Sequence, residues 1–302
     1  MRAPVVHHPA YVIPLPAAHR FPMPKFARLL VYLRERGLLV PSQEFVPEPA
    51  RRAWLEAAHK VEYVTAVLEQ RLGQAELRRL GLPMSPVLAL RSRCAVAGTL
   101  LTARLALEHG LACNTAGGSH HAFAGFGAGF CVFNDVAVAA RLLLEEGVVR
   151  RVLVVDLDVH QGDGTAAMLA DEPRAFTLSV HCRTNYPARK RQSDLDVALD
   201  AGVGDMDYLA TIDGLLPALL DRIRPDLVFY NAGVDPHQDD RLGRLSLTDA
   251  GLAARERLVL DAVRARGLPL ACVVGGGYAD DLDVLARRHA LLHEAIAALR
   301  SW

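Results

Sequence analysis

The amino-acid sequence predicts an α/β fold: one domain with a doubly wound, mainly parallel central sheet flanked by helices. Three observations carry that expectation. Continuous apolar runs at 151–156 (RVLVVD), 175–180, 227–231 (LVFYN) and 270–274 (LACVV) read as strands buried on both faces. Segments of helical periodicity alternate with them, the pattern of a parallel sheet with helical crossovers. No internal repeat or low-complexity linker divides the 302 residues, and a chain that is 51% apolar can fill one large core.

Local signals place the other elements. Residues 1–23 read as a short strand and a Pro/His-rich loop. Phe26, Leu29, Leu30 and Leu33 recur at helical spacing, with Pro24 in the first turn and Gly37 as the stop. Residues 51–80 read as helical and amphipathic, with Val61, Val64, Val67 and Leu68 on one side. Residues 86–109 form a further apolar helix ended by Gly110. A short strand at 111–115 leads into a glycine-rich loop, and 134–146 is a helix. After the strand at 175–180, the chain through residue 200 reads as a polar loop. Helices are expected at 208–223, with Pro225 just beyond, at 249–266 and at 281–299.

Composition excludes several function classes. The 34 basic and 34 acidic side chains cancel, so the chain carries no nucleic-acid or membrane footprint. The short basic run Arg189-Lys190-Arg191 reads as a solvated loop. Cys94, Cys113, Cys131, Cys182 and Cys272 are odd in number, widely spaced and free of any C-x-x-C pair. They predict neither a disulfide framework nor a cysteine-rich zinc site, and they suit a reducing cytosol. The proline-broken segment before Phe21 is not expected to be a signal peptide, and no apolar run is long enough for a membrane span.

In parallel sheets of this kind, ligands sit outside the carboxyl ends of the strands, so the residues after each apolar run carry the functional reading. The run at 151–156 continues as D-L-D-V-H-Q-G-D-G. Extended chain has a side-chain period of two, which puts Asp156, Asp158 and His160 on one face. Carboxylate and imidazole from one strand end, joined by a ligand from elsewhere, suit a catalytic zinc site with an open position. The run at 227–231 continues into A-G-V-D-P-H, where Asp235 is the candidate third ligand; His237, Asp239 and Asp240 are expected to face solvent at the rim. The run at 270–274 continues into G-G-G-Y. Three glycines let backbone approach closely and place the Tyr278 hydroxyl where it can donate to a developing oxyanion. Upstream, the glycine-rich loop holds His120 and His121 in tandem, a pair suited to acid–base work near neutral pH. Each needs an orienting partner on its far nitrogen, and Asp156 and Asp163 are available for that.

From about His19 to the last helix, the chain resembles the histone deacetylase family of the arginase–deacetylase fold group. Four ordered motifs carry the resemblance: GGSHHA with GAGFC, DLDVHQGDG, NAGVDPH and GGGY. The phrases YNAGVDPHQDDRLGRLS and VVGGGY, with the short length, look most like the class IV branch and its bacterial relatives. The resemblance implies that Asp158, His160 and Asp235 bind one Zn2+ ion per chain. It implies that Asp156 orients His120, that Asp163 orients His121 and that Tyr278 is the transition-state tyrosine. Gly129 and Phe130 match the lining of an acyl-lysine tunnel. Tyr186 is the implied opposing wall, although its loop, 182–196, departs from the family's usual phenylalanine pattern. Asp156 and Ser179 are implied to help hold a structural K+ ion. The implied reaction removes an acetyl or longer acyl group from the side-chain amine of lysine in a protein or peptide. Class IV likeness favours longer chains. Acetylated polyamines or other small amides are the alternative substrates, and acidic residues at the rim would favour the polyamines.

Two rival readings use the same residues less well. An arginase-like ureohydrolase with two manganese ions needs further bridging carboxylates and histidines, which the strand at 175–180 and Gln161 do not supply. A non-catalytic acyl-lysine binder predicts loss of a ligand, a histidine or the tyrosine, and all are present. No heptad seam or exposed apolar helix indicates an oligomeric state.

Overall fold

Apolar sequence with no polar alternation is stable only where a strand has cover on both faces, and the four such runs lie side by side in one sheet. The computed structural model describes residues 3–16, 19–299 and 302. The chain opens with β1 (Val5–Val6), α1 (Lys25–Glu35), β2 (Glu44–Phe45), α2 (Arg52–Glu56), α3 (Val61–Leu68), α4 (Gln74–Leu80) and the long α5 (Pro86–His109). It then alternates through β3 (Leu111–Asn114), α6 (Asp135–Glu145), β4 (Val152–Asp156), α7 (Asp163–Leu169), β5 (Ala175–Cys182) and β6 (Leu195–Leu199). The last third comprises α8 (Asp205–Ile223), β7 (Leu227–Asn231), α9 (Asp249–Arg264), β8 (Leu270–Val273) and α10 (Leu282–Ala298).

The eight strands form one sheet in the order β2-β1-β3-β8-β7-β4-β5-β6, with every pairing parallel. Helix α5 packs on β3, β8 and α6, while α8, α9, α10 and α1 pack in succession. Strands β3, β4, β7 and β8 are buried at every position. That single sheet flanked by helices is the fold class the sequence predicts. Because β3, β8, β7 and β4 are neighbours, the loops leaving their carboxyl ends meet, although they are spread from residue 115 to 280. Among the described residues, no helix is long and apolar enough to cross a membrane.

Several boundaries differ from the sequence reading. The stretch 51–80 is three helices, not one, because the chain turns extended at Lys60 and at Gly73. The polar loop expected through residue 200 contains the edge strand β6. Its Leu195, Val197 and Leu199 alternate with Asp196 and Ala198, and all five residues are only half-buried, so no apolar run marks it. Strand β5 extends to Cys182, past the predicted end at residue 180. Helix α8 starts three residues early, at Asp205, and accommodates Pro217. Strand β2 and helix α7 are too short to leave a periodic signature. Residues 1, 2, 17 and 18 of the predicted N-terminal strand and loop lie outside the described residues.

Candidate metal centre and active site

The loops after β4 and β7 bring Asp158, His160 and Asp235 together, with one ligand-type atom from each within 4.8 Å of the others. His160 Nδ1 lies 3.0 Å from Asp158 Oδ1 and 3.1 Å from Asp235 Oδ2. Backbone donors fix both carboxylates. The His160 amide donates to Asp158 Oδ1 at 3.0 Å, the Gly276 amide to Asp158 Oδ2 at 2.7 Å, and the Val159 amide to Asp235 Oδ1 at 2.9 Å. Gly276 is required by space: a Cβ there would sit 2.0 Å from Asp235 Oδ2 and 2.6 Å from Asp158 Oδ2.

This donor set fits a cation. Asp158 and Asp235 are buried, and among the described residues neither forms an ion pair with Lys or Arg. Buried carboxylates need a compensating charge. Burial alone would lower the His160 pKa, yet hydrogen bonds to Asp158 and Asp235 raise it to about 10. Two carboxylates and one imidazole at the base of an open pocket match the chemistry of a three-ligand metal site. Among the described residues, no other group of three or more His, Cys, Asp or Glu side chains is so placed. His181, on the extended end of β5, faces Ser179 Oγ at 3.1 Å and does not join them.

The histidine pair sits beside this cluster. His120 Nδ1 is 2.7 Å from Asp156 Oδ2, and His121 Nδ1 is 2.7 Å from Asp163 Oδ1. The two Nε2 atoms face each other at 3.1 Å. Burial acts to lower both pKa values. For His120 the charges of Asp156 and Asp158 overcome it and raise the pKa to about 9. For His121 burial and the neighbouring His120 charge prevail over Asp163, leaving it at about 4. Asn231, at the end of β7, donates from Nδ2 to Asp156 Oδ1 at 2.9 Å, tying the orienter of His120 to the next strand. Parallel register sets Asp156 opposite Ser179.

Tyr278 is held through its backbone. Its amide donates to Asp240 Oδ2 at 2.7 Å, and its carbonyl accepts from Arg241 Nε at 2.7 Å. Below it, Lys25 Nζ donates to the carbonyl of Gly275 at 2.9 Å and lies 5.7 Å from the centre of the tyrosine ring. Lys25 is buried; burial lowers its pKa to about 8, against the pull of Asp235, Asp158 and Asp240.

A cavity of about 420 Å³ leads from the surface to His121, His160 and Tyr278, and Gly129, Phe130 and Tyr186 also line it. Gly129 and Phe130 both have positive φ, at 54° and 67°. Phenylalanine is strained there. Their amides bond the carbonyls of Arg79 and Leu80 at 3.2 and 2.8 Å, which holds the turn. A Cβ on Gly129 would come within 2.7 Å of His121 Cδ2. The Tyr186 ring stands perpendicular to His121 at 4.7 Å, so the departing loop still contributes an aromatic wall. A second, small cavity of about 30 Å³ shares His121, Gly129, Phe130 and Tyr278 with the first and is also lined by Asp158, Gly118, Phe26 and Arg91.

Of the three residues expected to face solvent, His237 and Asp240 require correction and Asp239 does not. His237 is buried, with Nε2 at 3.2 Å from Asp249. Asp240 is half-buried and spends its oxygens on the amides of Tyr278, Leu242 and Gly243. Asp239 is exposed but pairs with Arg288, and none of the three lines the cavity.

The sequence reading also missed a buried network that pins the ligand loops. Arg255 and Glu256 on α9 are paired and buried. Arg255 Nη1 donates to the carbonyl of Gly233 at 2.7 Å and approaches that of Leu157 at 3.4 Å. Tyr230 donates to Glu256 at 2.7 Å. The signal was available: Arg255 and Glu256 fall on the stripe of Leu252, Val259, Leu260 and Val263, as Lys25 falls on the stripe of Leu29 and Leu33.

The family model described as the histone deacetylase domain matches residues 19–295. A protein of unassigned function from Picosynechococcus sp. is 54% identical over 98% of both chains. Histone deacetylase 2 of Arabidopsis thaliana is 29% identical, over 89% of this chain and 74% of that one. Histone deacetylase 3 of rice is 33% identical over 82% of this chain, which spans about half, 52%, of the rice protein. The crystal structure of a histone deacetylase homolog from Aquifex aeolicus superposes with a TM-score of 0.83 at 23% identity, covering 98% of this chain and 84% of that one. The chain therefore belongs to the histone deacetylase family, hydrolases of amide bonds with the arginase–deacetylase fold.

Proposed function

We propose that the protein is a zinc-dependent deacylase that hydrolyses the amide between a short acyl group and the side-chain amine of lysine in a protein or peptide. The observation that carries this reading is the convergence of two carboxylate-anchored histidines, the Asp158–His160–Asp235 set and Tyr278 at the base of one cavity. Asp158, His160 and Asp235 would hold one zinc ion. When bound there, zinc supplies Lewis acidity toward the amide carbonyl and lowers the pKa of water toward 7.

The protein groups do the rest. Asp163 accepts the Nδ1 proton of His121, which leaves the Nε2 lone pair free to take a proton from the attacking water. The same nitrogen returns that proton to the departing amine as the C–N bond breaks. His120, held charged between Asp156 and Asp158, stabilises the negative charge that builds up beside it. The Tyr278 hydroxyl donates to the developing oxyanion. Gly129, Phe130 and Tyr186 surround the lysine stem and exclude water.

The small inner cavity supports an acetyl-sized acyl group over a long chain. A structural K+ ion between Asp156 and Ser179 is part of the same reading, supported by their register. Five buried free thiols, two of them (Cys113 and Cys272) in register on adjacent strands, support a reducing, cytoplasmic setting. Class IV placement rests on the motif phrases alone.

Ranking kcat/KM over a peptide series that differs only in acyl length tests the reading. Acetyl-lysine is expected to be turned over fastest. Hydrolysis of no acyl-lysine peptide at any chain length would sink it.

A further inference from the structure

The mouth of the cavity carries a charge that the overall composition hides. The chain is neutral, with 34 basic and 34 acidic side chains, yet the cavity is lined by Arg20, Arg78, Arg79 and Arg244 and by no carboxylate. Three separate segments supply these arginines: the loop before α1, the end of α4 and the loop after β7. All four are exposed, and among the described residues none of them forms an ion pair. The nearby acids are already engaged. Glu76 caps the Gly73 amide at 2.7 Å, and Asp240 is bound to three backbone amides.

The direction of substrate entry decides what meets those arginines. The small cavity that shares His121, Gly129, Phe130 and Tyr278 with the main one and reaches Asp158 and Gly118 is about 30 Å³, room for the end of a short acyl group. The amine half of the substrate, with whatever continues from it, must therefore extend outward into the mouth. A cation there faces four guanidinium groups with no compensating acid, whereas a carboxylate meets partners for charge-assisted hydrogen bonds.

We infer that the preferred substrate is an acyl-lysine flanked by Asp or Glu residues, and that Arg20, Arg78, Arg79 and Arg244 select for it. This rests on the deacylase reading above. It places cationic acetylpolyamines and lysine-rich peptides among the poor substrates.

The test uses the zinc-loaded enzyme and three matched acetyl-lysine peptides with flanking Glu, Gln or Lys, together with acetylspermidine. At ~50 mM salt the Glu peptide is expected to exceed the Lys peptide about tenfold or more in kcat/KM, and the gap is expected to narrow at ~500 mM salt, as screening requires. The double variant Arg78→Glu/Arg79→Glu and, separately, Arg244→Glu are expected to invert the order of the Glu and Lys peptides. Equal turnover of both peptides, faster turnover of acetylspermidine, or a preference insensitive to salt and to charge reversal would overturn this inference while leaving amide hydrolysis standing. Failure of all four substrates would overturn this inference, and failure extended to peptides of every acyl length would remove the deacylase reading as well.

Discussion

The Nε2 atoms of His120 and His121 face each other at 3.1 Å, while each Nδ1 is fixed by its own carboxylate at 2.7 Å. Each Nδ1 proton is committed to an aspartate, so only one proton can lie between the two inner nitrogens. The carboxylates of Asp156 and Asp158 assign that positive charge to His120. His121 is left neutral and able to accept.

The pair should therefore respond unequally to truncation. His121→Ala removes the group that moves the proton and is expected to lower kcat about a thousandfold. His120→Ala removes a charge and is expected to cost about a hundredfold, at the bottom of the range for such groups. Single-turnover rates on an acetyl-lysine peptide check this; equal losses would argue against the division of roles.

Tyr278 is anchored at its amide by Asp240 and at its carbonyl by Arg241, so its position does not depend on its hydroxyl. Tyr278→Phe should fold and retain metal, and it should lose about a hundredfold in kcat, the cost of one oxyanion donor. Metal content and kcat measured on the same preparation separate this from a structural defect.

Arg255 reaches from α9 to the carbonyl of Gly233, two residues before Asp235, and toward that of Leu157, the residue before Asp158. Arg255→Met leaves Glu256 buried and unpaired, and it is expected to destabilise the fold by ~3–5 kcal/mol. Arg255→Met/Glu256→Leu should recover much of that stability but still bind metal more weakly than wild type, because the Gly233 carbonyl stays unpinned. Denaturant midpoints and a competitive metal titration report the two effects separately.

His59 gives a pH dependence away from the metal centre. Its Nδ1 donates to the Phe123 carbonyl at 3.0 Å, and its Nε2 accepts the Asn134 amide at 3.0 Å, an arrangement only the neutral ring can make. Burial lowers its pKa from 6.5 to about 4. Its contribution to stability is complete above pH 6.5 and is lost as the pH falls toward 4. His59→Gln can make both hydrogen bonds without titrating. The stability advantage of wild type over this variant should shrink by roughly 3 kcal/mol between those pH values. A constant difference would show that His59 does not carry this linkage.

The parallel sheet was legible because β4, β5, β7 and β8 are continuous apolar runs, which have few other stable arrangements. The chemistry was legible because Asp158, His160, Asp235 and Tyr278 follow three of those runs, at the sheet edge where α/β folds bind ligands. Strand β6 was hidden because an edge strand needs only partial cover. His237 reads as polar, yet it is buried against Asp249, twelve residues on, because the fold seats the start of α9 beside its loop. The arginine mouth was equally invisible: Arg20, Arg78 and Arg244 are far apart in a neutral sequence, and only the folded loops bring them to one opening.

In the proposed function, the Asp158–His160–Asp235 set holds the zinc on which hydrolysis depends. The most direct measurement is a zinc titration of the chelator-stripped enzyme, followed by initial rate on an acetyl-lysine peptide. No activity is expected without metal, followed by a linear rise that saturates at one zinc per chain, with Asp235→Ala flat throughout. Full activity in the stripped enzyme, or saturation at two metal ions per chain, would contradict it.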